Sequence, residues 1–300
     1  MKTINISFSN EQEKIDFVNE CERDFEQRLD KASHVIVNSG IVNILLSGPT
    51  CAGKTTTANK VIKDFHDVSK EVTVISIDDF FYERSDARKI NENEKIDYDS
   101  VDVIDLALLN DCIKKAKAGN NIRVPIFDFV TQSRVGYNAH YITENEVVLY
   151  EGIQAVYPEV TAMFDDKFIG AFINVDEDVM LNGVFFSRDD IRLIRRLVRD
   201  RKFRGASAEF TFYLWETVRE NEDKSIYPNK NVCSVQIDSF MGYELFVMKP
   251  YIEDVLSEMP KDSKYYPKAE EILEKFKDLD TISYDYIPKG SLYTEFLGKK

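Results

Sequence analysis

The sequence is poor in the residues that build disulfide frameworks and metal centres. Its 300 residues include four cysteines, at positions 21, 51, 112 and 233, and three histidines, at positions 34, 66 and 140. Neither set shows the paired spacing of a disulfide framework or of a zinc site. We therefore expect reduced thiols in a cytoplasmic protein, and histidines in ordinary surface or packing positions.

Positive charge and long apolar stretches are also scarce. The net charge of −14 argues against a general nucleic-acid or anionic-membrane binder, because such proteins need a basic surface. No apolar run approaches the length of a membrane-spanning helix, and residues 1–5 do not resemble a signal peptide. With 43% hydrophobic residues, the chain is expected to fold as a soluble globular protein with a sizeable core.

A phosphate-binding motif is the clearest positive feature of the sequence. An apolar run over 41–46 and a helical stretch over 55–65 flank a match to G-x-x-x-x-G-K-[ST], and the expected nucleotide contacts are Gly48, Pro49, Thr50, Cys51, Ala52, Gly53, Lys54, Thr55 and Thr56. Glycines let backbone N–H groups turn toward a polyphosphate, and the helix N-terminus adds partial positive charge. Lys54 is expected to reach the β- and γ-phosphates of ATP or GTP, and the Thr55 hydroxyl to bind the accompanying Mg²⁺.

Two acidic residues follow predicted buried strands. Asp78 comes directly after the apolar stretch 71–77, and Glu151 follows the stretch 147–150. Ligands of open α/β sheets bind at the carboxyl ends of the strands, so we expect both carboxylates near the phosphate loop. We assign Thr55, Asp78 and Glu151 to the metal site; a helix cap or a solvated strand end is the alternative for Glu151.

Arginine is concentrated in one stretch of this acidic chain. Residues 187–205 contain Arg188, Arg192, Arg195, Arg196, Arg199, Arg201 and Arg204. Steps of three and four place Arg188, Arg192, Arg195 or Arg196, and Arg199 on one helix face. Because the planar guanidinium suits phosphate oxygens, we expect an arginine-faced lid over the nucleotide rather than a solvated helix.

Several short motifs, in this order, make the chain resemble the uridine kinase and phosphoribulokinase family of P-loop kinases. They lie within residues 40–240, at 48–55, 78–81, 97–99, 124–128, 133–134, 151–153 and 195–200. Residues 243–245 and the tail 287–298 further resemble the kinase portion of bacterial uridine-kinase-like proteins. The implied fold is α/β: a P-loop NTPase with a mainly parallel β-sheet flanked by helices and an arginine-rich helical lid.

The order of elements also suggests a division of the chain. We predict a helical extension over 1–35, a kinase domain over 36–260 with its lid at about 180–206, and a C-terminal helix and tail over 261–300 packed on the core. Within these parts we predict a helix over 10–31, a connection over 33–40, a polar loop over 84–94, and a helix over 101–118 capped by Ser100.

The resemblance implies roles for individual residues. Asp78 looks like the catalytic carboxylate that accepts the proton of the attacking hydroxyl, and Lys54 and Arg199 complete the expected catalytic set. Asp99 looks like the ribose-binding aspartate, Glu151 like the metal-associated acid, and Arg199 and Arg204 like phosphate-binding arginines. The expected substrate contacts are Asp78, Phe81, Asp99, Phe127, Gln132, Arg134 and Arg196.

The departures from the family pattern concern the base. Members that act on uridine and cytidine have a tyrosine where this chain has Phe127 and a histidine where it has Gln132, and a further lid arginine is replaced by Ala206. A site without the tyrosine hydroxyl lacks a polar contact that discriminates between bases. We therefore predict weak or unselective activity on uridine.

These observations favour a Mg²⁺–ATP-dependent kinase that phosphorylates a small-molecule hydroxyl, the 5′-hydroxyl of a nucleoside. A pentose, a sugar phosphate or a pantothenate-like acceptor is the first alternative. An ATP-binding regulatory protein without transfer activity is the second, and the presence of Asp78 argues against it. We expect no nucleic-acid or membrane partner, and assembly into a homo-oligomer stays open.

Overall fold

The computed structural model describes residues 1–83, 98–143, 146–165 and 167–298. The predicted polar loop over 84–94 and the first residue of the motif at 97–99 lie outside them. The strands are β1 (Lys2–Ile4), β2 (Asn43–Ser47), β3 (Val72–Ser76), β4 (Asn121–Asp128), β5 (Ser133–Tyr141), β6 (Val147–Glu151), β7 (Ile169–Asn174), β8 (Val179–Leu181), β9 (Val184–Phe186) and β10 (Val235–Asp238). The helices are α1 (Glu11–Asn38), α2 (Lys54–Asp67), α3 (Leu106–Lys117), α4 (Pro158–Thr161), α5 (Arg188–Arg204), α6 (Ala208–Asn221), α7 (Glu244–Ser257), α8 (Tyr266–Phe276) and α9 (Thr294–Leu297).

A parallel sheet forms the centre of the fold, as predicted, and its strands lie in the order β10-β7-β2-β6-β3. β2 lies in the middle and is buried along its whole length, which explains its continuous apolar run. Glu151 at the end of β6 lies opposite Ser76 at the end of β3 and Leu46 near the end of β2. The loops that follow these strands therefore open at the same edge of the sheet.

The helix α1 is longer than predicted. The expected connection over 33–40 is wrong, because α1 continues to Asn38. Its buried stripe continues through Ala32, Ser33 and Ile36, so packing against the core outweighs the weak helix propensity of the serine. The chain leaves the helix at Ser39 and Gly40, where a φ of 71° favours glycine.

The segment between β3 and β4 also differs from the prediction. The helix expected over 101–118 is divided into a short 3-10 turn (Val101–Val103) and α3. Ser100 caps the turn, whereas Asp105 caps α3 by accepting a hydrogen bond from the N–H of Leu108 at 3.0 Å. Because each of these residues caps the start of a separate element, the segment forms a 3-10 turn followed by α3 instead of one continuous helix. The strands β4 and β5 then form an antiparallel hairpin.

The arginine-rich helix α5 occupies the predicted stretch. Ser187 and Asp190 form a reciprocal capping box at its start, and Gly205, with a φ of 61°, ends it in the left-handed conformation. A small sheet in the order β1-β8-β9, which the sequence did not predict, precedes it. In the part of the chain that the structure describes, no helix combines the length and apolarity that a membrane span requires. The division into residues 1–35, 36–260 and 261–300 stays a prediction.

Candidate active site

The segment between β2 and α2 has the shape of a phosphate cradle. Gly48 lies directly on β7, because a Cβ there would come within 2.1 Å of the carbonyl oxygen of Ile173. Cys51 and Gly53 have φ values of 58° and 102°, which turns the loop into a concave surface of the kind that binds anions. The Lys54 ammonium donates to the carbonyl oxygens of Gly48 at 2.9 Å and Pro49 at 3.3 Å. These residues therefore fit a bound polyphosphate.

A cavity of about 670 Å³ opens beside this loop, at the carboxyl edge of the sheet. This volume suits a small-molecule site. Of the residues predicted from the sequence, its lining contains Thr50, Cys51, Ala52, Gly53, Lys54, Thr55, Asp78, Phe81, Asp99, Arg196, Arg199 and Arg204. The cavity thus brings together the expected catalytic residues, residues expected to bind the nucleotide, and residues expected to bind the acceptor.

The two predicted carboxylates lie next to each other at the ends of β3 and β6. Burial and the neighbouring carboxylate of Glu151 raise the pKa of Asp78 to about 7, while the Lys54 ammonium acts in the opposite direction. The Glu151 carboxylate accepts a hydrogen bond from the Ser76 hydroxyl at 2.8 Å. Asp78 lines the cavity, whereas Glu151 is outside its lining.

The oxygen-bearing side chains around the loop suit a Mg²⁺ ion that binds together with a nucleotide. Among the described residues, no group of three or more His, Cys, Asp or Glu side chains could hold a metal ion. Mg²⁺ commonly uses one or two protein carboxylates together with phosphate oxygens and water. Thr55, Asp78 and Glu151 fit that requirement, and their assignment to the metal stays a prediction.

The backbone around Asp99 is held by the loop that follows β6. The Gln154 amide donates to the Tyr98 carbonyl oxygen at 2.8 Å, and the Tyr157 hydroxyl donates to the Asp99 carbonyl oxygen at 2.8 Å. Gln154, Tyr157 and Tyr98 were not expected from the sequence as site residues. They fix the position from which Asp99 faces the cavity.

Aromatic rings form the wall beyond Asp78. Phe81 and the exposed Phe129 line the cavity, and Phe127, which is 5% exposed, lies behind them. The ring centre of Phe127 is 5.6 Å from that of Phe81 and 5.2 Å from that of Phe129, in edge-to-face contacts. Gln132 lies at the β4–β5 turn with a φ of 53°. The structure therefore places Phe127 and Gln132 outside the cavity lining.

Arg134 supports this wall from behind. Its guanidinium donates to the carbonyl oxygens of Phe80 at 3.0 Å and Phe81 at 3.1 Å and pairs with the Asp105 carboxylate at 3.1 Å. These contacts connect the β4–β5 hairpin to the turn that carries Asp78 and Phe81. Arg134, predicted to contact substrate, is placed outside the cavity lining.

The arginines of α5 that face the cavity share one carboxylate. Asp200 is buried, and its oxygens lie 3.3 Å from Arg196, 2.7 Å from Arg199 and 3.3 Å from Arg204. Arg199 also reaches the Thr50 hydroxyl in the phosphate loop, at 3.5 Å. Asp200, to which the sequence analysis assigned no role, orients the arginines predicted to bind phosphate.

Two other arginines of α5 do not contribute to a lid face. Arg192 and Arg195 are fully buried, so the expectation that they face the nucleotide is wrong. Arg192 pairs with Glu222 at 2.5 Å, and Arg195 pairs with Glu244 at 2.6 Å. Both partners follow many residues later in the chain, and helical periodicity does not reveal them. Arg195 also donates to the Cys51 carbonyl oxygen at 3.1 Å and so supports the phosphate loop.

The cavity has further lining residues that sequence reasoning missed. Tyr98 and Ile153 stand inside or beside recognised motifs, which is the signal that could have identified them. Phe129 and Gln154 directly follow such motifs, and Glu295 and Phe296 lie in the tail 287–298 that also carries the resemblance. The others carry no local signal and come from α6: Leu214, Thr217 and Val218.

Comparisons with known proteins identify the family. The sequence pattern of the phosphoribulokinase / uridine kinase family matches residues 43–243. The chain belongs to this family. It is therefore an ATP-dependent kinase, and the family resemblance inferred from the short motifs is confirmed.

Individual relatives are similar over most of this region. A protein named uridine kinase from Ureaplasma parvum serovar 3 is 30% identical over 65% of this chain and 86% of its own length. Uridine-cytidine kinase B from Dictyostelium discoideum is 27% identical over 71% of this chain and 82% of its own. The solved structure described as a possible uridine kinase from Bacillus stearothermophilus is 18% identical, with a TM-score of 0.50 over 72% of this chain and 100% of that one. The structural match confirms the P-loop kinase fold.

Proposed function

We propose that this kinase transfers the γ-phosphate of Mg²⁺–ATP to the 5′-hydroxyl of a nucleoside. The observation that carries the proposal is one cavity lined by Lys54, Asp78, Asp99 and Arg199. It combines a phosphate-binding lysine, a carboxylate that can accept a proton, and a second carboxylate that can bind a diol. The relatives named above, called uridine or uridine-cytidine kinases, support a nucleoside as acceptor.

In the proposed reaction the residues mainly position the reactants and stabilise charge. Asp78 orients the acceptor hydroxyl and accepts its proton as the new P–O bond forms. Lys54, Arg199 and Arg204 stabilise the negative charge on the transferring group and on the departing ADP. Mg²⁺ bound with the nucleotide would neutralise phosphate charge in the same region.

The aromatic wall favours a base-carrying acceptor over a simple pentose. Asp99 suits a vicinal diol, which nucleosides and pentoses share. The rings of Phe81, Tyr98 and Phe129 line the same cavity and offer apolar surfaces for a planar base, which a pentose lacks. A phosphorylated acceptor would need free cationic groups near the β4–β5 hairpin, where Arg134 is held by Asp105.

Product analysis tests this proposal. The protein is incubated with Mg²⁺ and ATP or GTP and a panel of nucleosides, pentoses and pantothenate, and products are identified by mass and by the position of the phosphate. We expect 5′-monophosphates of one or more nucleosides, and none with Lys54→Ala. Products from pentoses or pantothenate alone would support the first alternative. ATP binding without any transfer would support a regulatory protein.

A further inference from the structure

A carboxylate from the C-terminal tail lies at the phosphate-binding end of α2. One oxygen of Glu295 accepts hydrogen bonds from the Thr56 N–H at 2.7 Å and from the Thr56 hydroxyl at 2.5 Å. The two residues are 239 positions apart in the chain. Glu295 also lines the cavity that contains Lys54 and Arg199.

These donors belong to the surface that should receive the nucleotide. The N-terminus of α2 has no side-chain cap and no acidic residue in its first turn, so its own sequence supplies no anion there. N–H groups and hydroxyls at the start of a helix that follows a glycine-rich loop bind phosphate oxygens. The Glu295 carboxylate is an anion with two donors at that position, and it stands where a phosphate oxygen would bind.

The tail around Glu295 is firmly packed. Leu292, Tyr293 and Phe296 are buried, and a Cβ on Gly53 would come within 2.2 Å of the Leu292 side chain. The Tyr293 hydroxyl donates to Glu244, the partner of the buried Arg195. The Glu295 side chain is only partly buried. Its carboxylate can therefore leave Thr56 by a side-chain rotation while the tail backbone stays in place.

We propose that Glu295 is a built-in competitor of the nucleotide phosphates: its carboxylate occupies the donors of Thr56 in the free enzyme and is displaced when ATP binds. This inference rests on the nucleotide site of the proposed function. Two anions cannot share the same donors without repulsion, so the apparent affinity for ATP is reduced by the fraction of molecules in which the carboxylate is bound. A plain helix cap, by contrast, would contribute stability without affecting nucleotide affinity.

Calorimetric titration of the full chain with Mg²⁺–ATP and with adenosine tests the proposal. The variants are Glu295→Gln, Glu295→Asp, Glu274→Gln and Lys54→Ala. Glu274→Gln is the control, because it removes one negative charge, as Glu295→Gln does. Glu274 is largely exposed and, among the described contacts, its side chain pairs only with the nearby Lys277. Glu295→Gln keeps the acceptor oxygen but removes the charge, and Glu295→Asp shortens the reach of the carboxylate while keeping the charge. Melting temperatures of all variants verify folding.

We expect both Glu295 variants to bind ATP more tightly, by roughly tenfold for the glutamine, because a charge-assisted hydrogen bond holds the competing state. Adenosine, which has no phosphate, should bind as it does to the parent, and Glu274→Gln should bind both ligands like the parent. Unchanged or weaker ATP binding by Glu295→Gln, or an equal gain for adenosine, would overturn the proposal.

The same titrations separate this inference from the proposed function. Suppose that the parent binds ATP, that Lys54→Ala abolishes this binding, and that neither Glu295 variant binds ATP more tightly. This result overturns the role of Glu295 as a competitor but leaves the nucleotide site in place. Absence of ATP binding in the parent and in both Glu295 variants overturns the nucleotide site and the competitor together. ATP binding that appears only when Glu295 is replaced supports the competitor.

Discussion

Replacing Arg199 by lysine keeps the charge of α5 but removes the planar fork that Asp200 holds beside the phosphate loop. The guanidinium contacts Asp200 through two nitrogens, at 2.7 and 3.0 Å, and a third nitrogen reaches the Thr50 hydroxyl at 3.5 Å. A lysine ammonium can approach Asp200 or a phosphate, but it cannot bridge them in the same geometry. Loss of one positioned donor in a phosphoryl-transfer site is expected to lower kcat by roughly 10²–10³-fold.

The fold should tolerate this change. Asp200 keeps its contacts with Arg196 and Arg204, so the buried carboxylate is not left without a cationic partner. We expect the free energy of unfolding to fall by no more than about 1 kcal/mol. The kinetic and the structural effects of Arg199→Lys are therefore well separated.

The assay is steady-state kinetics with ATP and nucleoside, together with urea unfolding, on the parent, Arg199→Lys and Arg201→Lys. Arg201 is the matched control, because it lies on the same helix with 39% of its side chain exposed and pairs with Glu258. Surface pairs of this kind contribute about 0–1 kcal/mol, so Arg201→Lys should change neither property appreciably. If the kcat of Arg199→Lys is within a few-fold of the kcat of the parent and of Arg201→Lys, the assignment of Arg199 to the transferring phosphate is refuted.

Three further predictions concern the loop, the base and the core. Lys54→Ala should abolish transfer while the melting temperature stays near that of the parent; transfer within a few-fold of the parent would reject the phosphate-loop assignment. The parent should discriminate poorly between uridine, cytidine, adenosine and guanosine in kcat/KM; a parent strongly selective for uridine would contradict this. Glu222→Gln should lower the free energy of unfolding by about 1–3 kcal/mol in urea titrations, because the buried Arg192 then keeps Asp189, at 2.9 Å, as its remaining ionic partner among the described contacts; an unchanged free energy of unfolding would contradict this.

The predictable parts of this molecule are those determined by local sequence. The loop from Gly48 to Thr55 and the helix α5 need only residues within one or two turns: Gly53 for a left-handed position of the loop, Ser187 and Asp190 for the cap of the helix, and Gly205 for its end. The apolar runs of β2 and β6 likewise predict buried parallel strands without reference to their neighbours.

The parts that failed depend on partners distant in the chain. Periodicity places Arg192 and Arg195 on a helix face, but it does not show that their ion-pair partners, Glu222 and Glu244, are buried in the core. The strands β1, β8 and β9 have three residues each, too few for an alternating pattern to be recognised. Glu295 reaches Thr56 only because the tail packs against the phosphate loop, which no local pattern encodes.

The most direct test of the catalytic account is the Asp78→Asn variant, measured by single-turnover transfer and by ATP binding. The amide keeps the shape of the side chain but cannot accept the proton of the acceptor hydroxyl, so we expect ATP binding close to that of the parent and transfer slowed by roughly 10²–10⁴-fold. Asp79→Asn is the control on the adjacent carboxylate, which accepts a hydrogen bond from the Phe127 N–H. Transfer at the parent rate by Asp78→Asn, with the loss appearing in Asp79→Asn instead, would contradict the account.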